Sequence, residues 1–565
     1  MKSVRITIFL FAFLIVTLLA MVLRCFYLQS VKSQHYSSIW QKQRQRLELQ
    51  KPQRGVILDC RGTVLAASNK VQTVFAEPRA ITDPKEASNT LAPLIDMPAH
   101  EICKIITESK NPGFAKIKTN LEPDQYESAV KIRGIGVQSE WQRHYPTGPL
   151  AAHVVGFTSR DNRGLAGIEL QYEKALAGSA GRNVFFADAL RRPIRPKQFN
   201  PSVSDGFGII LTLDATIQQF ARTELLKQFR EYQAESAVAI VIEPKSGAIL
   251  AMVSLPGFDP NKAASTDPNN FKNRAVTDTF EPGSVLKPII TAIALDTGAV
   301  NTTEKIFCEN GHYHGRGFGS IKEYRYYQYG DMTIKQILVK SSNIGMAKIG
   351  QRLGKQKLHE GLTHFGFGKK TGINLPGEAS GLLWPHEKWT GYSLTRIPFG
   401  QEISVTALQL VRAFCILANG GKMVRPFLVQ ATVDNNGKIV NLKTPAPPVG
   451  FVIKPQVAQW IVNDVLTAVI NEGTGKRAKL KKYQLFGKTG TANIAKKDSK
   501  GYDDDAYIAS FIAGAPAHDP AIVVLVSVRK PDRSLGKGYT GGTVAAPVAA
   551  KIISKTLNYL EKQQF

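Results

Sequence analysis

Phe280-Glu-Pro-Gly-Ser-Val-Leu-Lys-Pro288 runs from a turn directly into an apolar stretch that ends near Leu295. Proline and glycine punctuate the chain, and the residues after them carry a helical pattern. Ser284 is therefore expected in the first turn of a helix, where its N–H has no intrahelical partner. Lys287 follows three positions later, so the two side chains share one face. Pro288 is tolerated because it lies near the helix start, where its missing N–H costs little. A serine hydroxyl becomes a useful nucleophile only with a base beside it. A lysine amine serves as that base only when neutral, and burial or a neighbouring cation lowers its pKa.

Two further strings complete the reading. Ser341-Ser-Asn343 offers a hydroxyl at Ser341 that can relay a proton to a leaving amine. Asn343 can hold a substrate amide and Lys287 in place. Gly487-Lys-Thr-Gly-Thr-Ala492 offers charge at Lys488, a possible second cation beside Lys287, and hydroxyls at Thr489 and Thr491 for a substrate carboxylate. Gly490 lacks a side chain, so a substrate backbone can lie against the strand there. The N–H groups of Ser284 and Thr491 form the natural oxyanion-hole pair, and losing one such donor typically costs about 10²–10³ in rate. A second copy, Lys370-Thr-Gly372, runs into Ile373-Asn-Leu-Pro-Gly377 and reads as a loop. The copy at Lys488 precedes two strand-like runs, Tyr507 to Ala515 and Ala521 to Val528. Each string is weak alone. In this order and setting they make a serine acyl-transfer site with lysine as base.

Length, charge and cysteines bound the rest. A chain of 565 residues is too long for one core and implies two or three folded units. The net charge of +27 raises nucleic-acid binding as a first thought. No zinc-finger spacing, RNP string or basic-helix motif supports it, so no nucleic-acid partner is expected. Anionic lipid headgroups, an acidic wall polymer or solvated surface such as Lys476 to Lys482 account for the charge equally well. The cysteines at 25, 60, 103, 308 and 415 show no Cys-x-x-Cys spacing. Cys415 lies in an apolar helical run and reads as core. His312-Tyr-His314 lacks a third ligand, and no His-Glu-x-x-His occurs. Neither a metal nor a cofactor is expected.

Ile6 to Leu23 is an almost wholly apolar run, preceded by Lys2 and Arg5 and followed by Arg24. It reads as an uncleaved membrane anchor over 6–24 rather than a cleaved signal peptide, with 1–5 as a cytoplasmic tail and the remainder exported. Residues 25–54 form a stalk, helical from Tyr36 to Gln50. Residues 55–205 read as a mixed α+β pedestal without a nucleophile–base pair. From 206 to 565 the pattern predicts a helix (Thr216 to Tyr232) and a hairpin (Ala237 to Glu243, Ala248 to Ser254). A long helical insert follows, then three strands and an amphipathic helix (Val544 to Lys562). The fold class is α+β, with a five-stranded, mainly antiparallel sheet flanked by helices. Lys496 to Asp505 reads as a charged, mobile loop.

These residues resemble the class B penicillin-binding proteins, the monofunctional peptidoglycan transpeptidases. The likeness covers nearly the whole chain. It includes the anchor, Arg54-Gly-Val-Ile-Leu-Asp59, His144-Tyr-Pro-Thr-Gly148, Gly164-Leu-Ala-Gly-Ile-Glu169, the serine string, Leu408-Gln-Leu410 and Gly541-Gly-Thr-Val-Ala-Ala-Pro547. Length and the Phe-Glu-Pro-Gly-Ser string look most like the division-specific penicillin-binding protein 3 type, with the elongation-specific penicillin-binding protein 2 type as close rival. The resemblance implies a pedestal of the penicillin-binding protein dimerisation type and a transpeptidase domain. In it Ser284 is acylated by a stem peptide with release of terminal D-alanine, and Lys287 acts as base. Ser341 and Asn343 supply the second motif, and Lys488, Thr489 and Thr491 bind the carboxylate. It further implies β-lactams as covalent inhibitors, a SEDS-family glycosyltransferase and other division proteins as partners, and a place in the cytoplasmic membrane with the catalytic domain in the periplasm. Departures stand at Cys60, where arginine or a similar polar residue is usual, at Glu402, where glycine is usual, and at Ala407, where proline is common. A β-lactam sensor or β-lactamase of the same fold and a non-catalytic division scaffold are the alternatives.

Overall fold

The computed structural model describes residues 2–187, 193–194, 203–442, 450–496 and 501–563. The chain forms two compact units, one of residues 1–53 with 178–205 and one of 54–177 with 206–565.

In the first unit the helix Lys2–Phe26 continues through a π-helical turn, Tyr27–Val31. The whole of Lys2–Val31 is long and apolar enough to cross a membrane. A second helix, Ser33–Arg44, leads into a strand, Gln45–Gln50. The strand pairs antiparallel with Gly181–Ala187. The expected stalk helix thus stops six residues early. Gln45-Arg-Leu-Glu-Leu-Gln50 alternates polar and apolar residues with period two, the pattern of a strand. Its partner lies far downstream and gives no local signal.

The second unit is built on two sheets. Strands β1 (Ser236–Ile242) and β2 (Ile249–Leu255) form the expected hairpin. Strands β3 (Phe486–Ala495), β4 (Tyr502–Ala515) and β5 (Ile522–Arg529) complete a sheet in the order β2-β1-β5-β4-β3, antiparallel throughout. Every residue of Ser236-Ala-Val-Ala-Ile-Val-Ile242 is buried, because helices cover both faces of the sheet. Val238, Ile240 and Ile242 face helices α2 (Lys287–Asp296), α3 (Ile334–Lys340), α4 (Asn343–His364) and α5 (Ala407–Ala418). Ala237, Ala239 and Val241 face the earlier helix Ala215–Glu231 and the C-terminal α6 (Ala546–Gln563). Cys415 on α5 is fully buried in the core. Strand β3 is the sheet edge beside the helical insert, so Lys488 meets the serine string there. The charged loop expected over 496–505 is shorter, because β4 begins at Tyr502. Residues 497–500 lie outside the described residues.

The second sheet has seven strands. Its long central strand Val64–Ala76 pairs with Ala115–Thr119 and Ile135–His144. Ile57–Leu58 runs parallel to Gly208–Leu211, which in turn pairs with Val429–Val433. The boundary expected between 205 and 206 is therefore bridged by hydrogen-bonded strands. The three N-terminal strings also meet at one buried carboxylate. Glu169 takes Arg54 Nε on one oxygen and Arg143 Nε on the other, each at 2.6 Å, with Tyr145 Oη at 3.3 Å. Removing Glu169 takes a carboxylate partner from both buried guanidinium groups at once.

Candidate active site

The serine string opens as a 3₁₀ turn, Gly283–Leu286, and becomes α-helical only at Lys287. Side chains three apart eclipse in a 3₁₀ turn, so Ser284 stands above Lys287. Loops hold the turn in place. Gly283 N–H donates to Gly400 O at 3.0 Å, and a Cβ on Gly400 would lie 2.1 Å from Gly283 O. The Glu281 carboxylate accepts from Glu402 N–H and Tyr502 Oη, both at 2.9 Å. Glu402 has φ +61°, the left-handed geometry that favours glycine.

Gly490 meets a packing demand beside the one its sequence suggested. A Cβ there would stand 2.5 Å from Val285 Cγ2 and 3.1 Å from Pro282 O. The missing side chain lets the Ser284 turn seat directly on β3.

Lys287 is wholly buried. Its Nζ donates to Ser341 O at 2.7 Å and Asn343 Oδ1 at 2.8 Å, with Ser342 O at 3.2 Å and Ser341 Oγ at 3.3 Å. Burial pulls its pKa down to about 7, and the Glu323 carboxylate opposes that fall. None of these contacts is to Ser284, and among the described residues the half-buried Ser284 hydroxyl has no hydrogen-bond partner. An ammonium has three N–H donors. Losing one leaves two for the two shortest contacts and a lone pair.

Lys488 is also wholly buried. Its Nζ donates to Ser341 Oγ at 3.0 Å and Thr489 O at 3.1 Å. Its pKa lies well below the usual lysine value, first through burial and then through Lys287. Two buried amines sharing one hydroxyl do not both hold a charge. The sequence suggested a second cation at Lys488 beside Lys287; its amine reaches the same Ser341 hydroxyl that Lys287 touches.

The Ser-Ser-Asn string is two helix caps back to back. Ser341 ends α3 with φ +62°, a left-handed geometry that costs a non-glycine residue about 1 kcal/mol or more. Ser342 begins α4, its Oγ accepting from Gly345 N–H at 2.9 Å. Asn343 then occupies the first helical position. Buried Glu323 accepts from Ser342 Oγ, from Asn343 N–H at 2.8 Å and from Ile344 N–H at 3.1 Å. Glu323 was not singled out from sequence; it lies in a loop eighteen residues before the string and carries no motif.

The carboxylate-binding candidates sit on the other side of β3. Lys488 and Gly490 lie opposite Ile512 and Ser510, whereas Thr489 and Thr491 lie opposite Phe511 and Ala509, so alternation sends the threonines to the reverse face. Thr491 Oγ1 accepts from Gly541 N–H at 3.1 Å, which leaves its own proton to donate elsewhere. Thr489 Oγ1 lies 2.6 Å from Thr474 Oγ1. Thr474 adds a third hydroxyl that the sequence did not flag.

The other Lys-Thr-Gly is a turn. Lys370 is exposed and Gly372 has φ +83°. Thr371 donates its N–H at 2.6 Å and its hydroxyl at 2.5 Å to Glu378 Oε1.

Residues 237–554 match the penicillin binding protein transpeptidase domain, and residues 49–206 match the penicillin-binding protein dimerisation domain. The chain belongs to the penicillin-binding transpeptidase family, in the class that carries the dimerisation domain. It is 34% identical over 557 residues to stage V sporulation protein D of Bacillus subtilis, covering 97% of this chain and 85% of that protein. It is 30% identical over 515 residues to the peptidoglycan D,D-transpeptidase FtsI of Escherichia coli, covering 89% and 83%. Among solved structures it matches penicillin binding protein 3 of Mycobacterium tuberculosis complexed with aztreonam. The TM-score is 0.71 at 26% identity, over 91% of this chain and 97% of that one.

Proposed function

We propose that the chain is a serine-type peptidoglycan D,D-transpeptidase with Ser284 as nucleophile. The observation that carries this is the pair of buried amines, Lys287 and Lys488, joined through the Ser341 hydroxyl one turn from Ser284. A stem-peptide carboxylate reaches over the free edge of β3 to the hydroxyls of Thr489 and Thr491. Its negative charge favours the proton on Lys488. The shared proton moves through Ser341 and leaves Lys287 neutral. Lys287 takes the Ser284 proton as Oγ adds to the penultimate D-alanine carbonyl. The N–H groups of Ser284 and Thr491 stabilise the oxyanion. The C–N bond breaks, the leaving D-alanine amine takes a proton through Ser341, and an acyl-serine remains. The amine of a neighbouring stem peptide then attacks, giving its proton back along the same path and regenerating Ser284. β-Lactams enter the first half-reaction as substrate mimics and stop at the acyl-enzyme. Asn343 holds both the substrate amide and Lys287.

On the same reading, residues 206–565 are the transpeptidase domain and 55–205 the pedestal. The N-terminal helix anchors the protein in the cytoplasmic membrane with the catalytic domain in the periplasm. The role is septal wall synthesis beside a SEDS-family glycosyltransferase and other division proteins, a reading that rests on the Phe280-Glu-Pro-Gly-Ser284 string and the chain's length.

Fluorescent penicillin tests the chemistry. Stable labelling lost in Ser284→Ala supports the assignment. Fast turnover of the label indicates a β-lactamase, no labelling indicates a scaffold, and labelling that survives Ser284→Ala overturns the nucleophile. Depletion tests the role, since filaments indicate division and round cells indicate lateral wall synthesis.

A further inference from the structure

Glu323 stands between the loop before α3 and the start of α4, with only 4% of its surface exposed. A carboxylate so buried is costly unless hydrogen-bonded on several sides. Here it receives three donors, the Ser342 hydroxyl and the N–H groups of Asn343 and Ile344. These belong to the unpaired first turn of a 22-residue helix, where a negative charge is most favoured. The same three residues, 341 to 343, supply all four contacts to Lys287 Nζ. Cys308 Sγ packs 3.6 Å from the Ser342 hydroxyl and is fully buried, so this layer has no room to relax. Backbone strain is held at Ser341, immediately before the helix.

We infer that Glu323 is a positioning residue for acyl transfer, locking the strained Ser341-Ser-Asn343 turn and placing a carboxylate directly behind the groups that hold the Lys287 amine. It does not touch substrate. It acts through the backbone that fixes Lys287 and through its field at the amine. The charged and titratable groups around this pair are Lys488 from β3, Cys308 and Tyr329 from the loops packed on Glu323, and Lys348 from α4 beside Cys308. The inference rests on the acyl-serine reading above.

The test is the pH dependence of acylation of the full-length protein by a fluorescent penicillin, in wild type, Glu323→Gln and Ser342→Ala. Wild type is the control for the underlying reading, because absence of Ser284 labelling sinks that reading before Glu323 is in question. Removing the Glu323 charge takes away an interaction that raises the Lys287 pKa. The acid limb of the profile therefore moves to lower pH in Glu323→Gln, by about one unit. The plateau rate falls about 10- to 100-fold as the turn loosens. Ser342→Ala loses one donor but keeps the charge, so its plateau falls while its acid limb stays in place. An acid limb in Glu323→Gln that coincides with wild type overturns the inference. If Glu323→Gln does not fold, Glu323→Asp replaces it. That variant keeps the charge at a shorter reach, so a lowered plateau with an unmoved limb supports the inference, and an unchanged plateau overturns it.

Discussion

The molecule contains Lys-Thr-Gly twice, and the two copies share nothing but their letters. At 488–490 the string lies in an edge strand, with the lysine fully buried. At 370–372 it turns a corner, the lysine is in solvent and the threonine is consumed by Glu378. The residues that follow decide the outcome. Thr491 to Ala495 continue a strand that pairs with β4. Gly372 takes a left-handed conformation and leads into a proline loop. Identical side chains acquire opposite roles from the backbone they are given.

That contrast can be broken most directly at the lysines. Lys488→Ala is expected to slow penicillin acylation by about three orders of magnitude, since it removes both a proton partner and a buried donor. Lys370→Ala stays within about twofold of wild type, because exposed lysines far from chemistry contribute little. Equal losses in second-order acylation rates would reverse the assignment of the two copies. The glycines come next. Gly490→Ala drives a methyl into Val285 and is expected to cut acylation at least about tenfold through displacement of the Ser284 turn. Gly372→Ala meets no atom within 4 Å and costs only about 1 kcal/mol of backbone strain, seen as a small drop in Tm with kinetics intact. The threonines give a smaller split. Thr491→Val weakens capture of a carboxylate-bearing β-lactam by roughly tenfold. Thr371→Val loses its bond to Glu378 and about 1 kcal/mol of stability without changing the acylation rate. The subtlest difference is in pH. Acylation is expected to rise from acid through a midpoint near pH 7, because Lys287 must lose its proton and its pKa is lowered to about 7. Lys370→Ala leaves that midpoint in place.

What was legible in the sequence was local. Ser284 and Lys287 could be placed on one face because their spacing alone does it, and the β1–β2 hairpin followed from two apolar runs and Pro244-Lys-Ser-Gly247. What was not legible depended on distant partners. Glu323 is an ordinary acidic residue until α4 is placed over it. Thr474 is an ordinary loop threonine until β3 brings Thr489 within 2.6 Å. Gln45–Gln50 alternates like a strand but follows a helix without a break, and only Gly181–Ala187 beside it decides between the two. The packing demand on Gly490 was not legible because the sequence does not say which face of β3 the serine turn occupies. The place of Lys488 beside Lys287 was legible from the strings; its bond to the Ser341 hydroxyl was not, because that contact spans 147 residues.

The parallel pairing of Ile57–Leu58 with Gly208–Leu211 has a practical consequence for anyone cutting the gene. A fragment that starts at 206 strips one rim from a buried strand, baring the ladder groups of Ile209 and Ile210 to the first sticky segment they meet. A fragment that starts ahead of Arg54 keeps that seam closed, so a catalytic portion with its strands paired begins well before the catalytic sequence does.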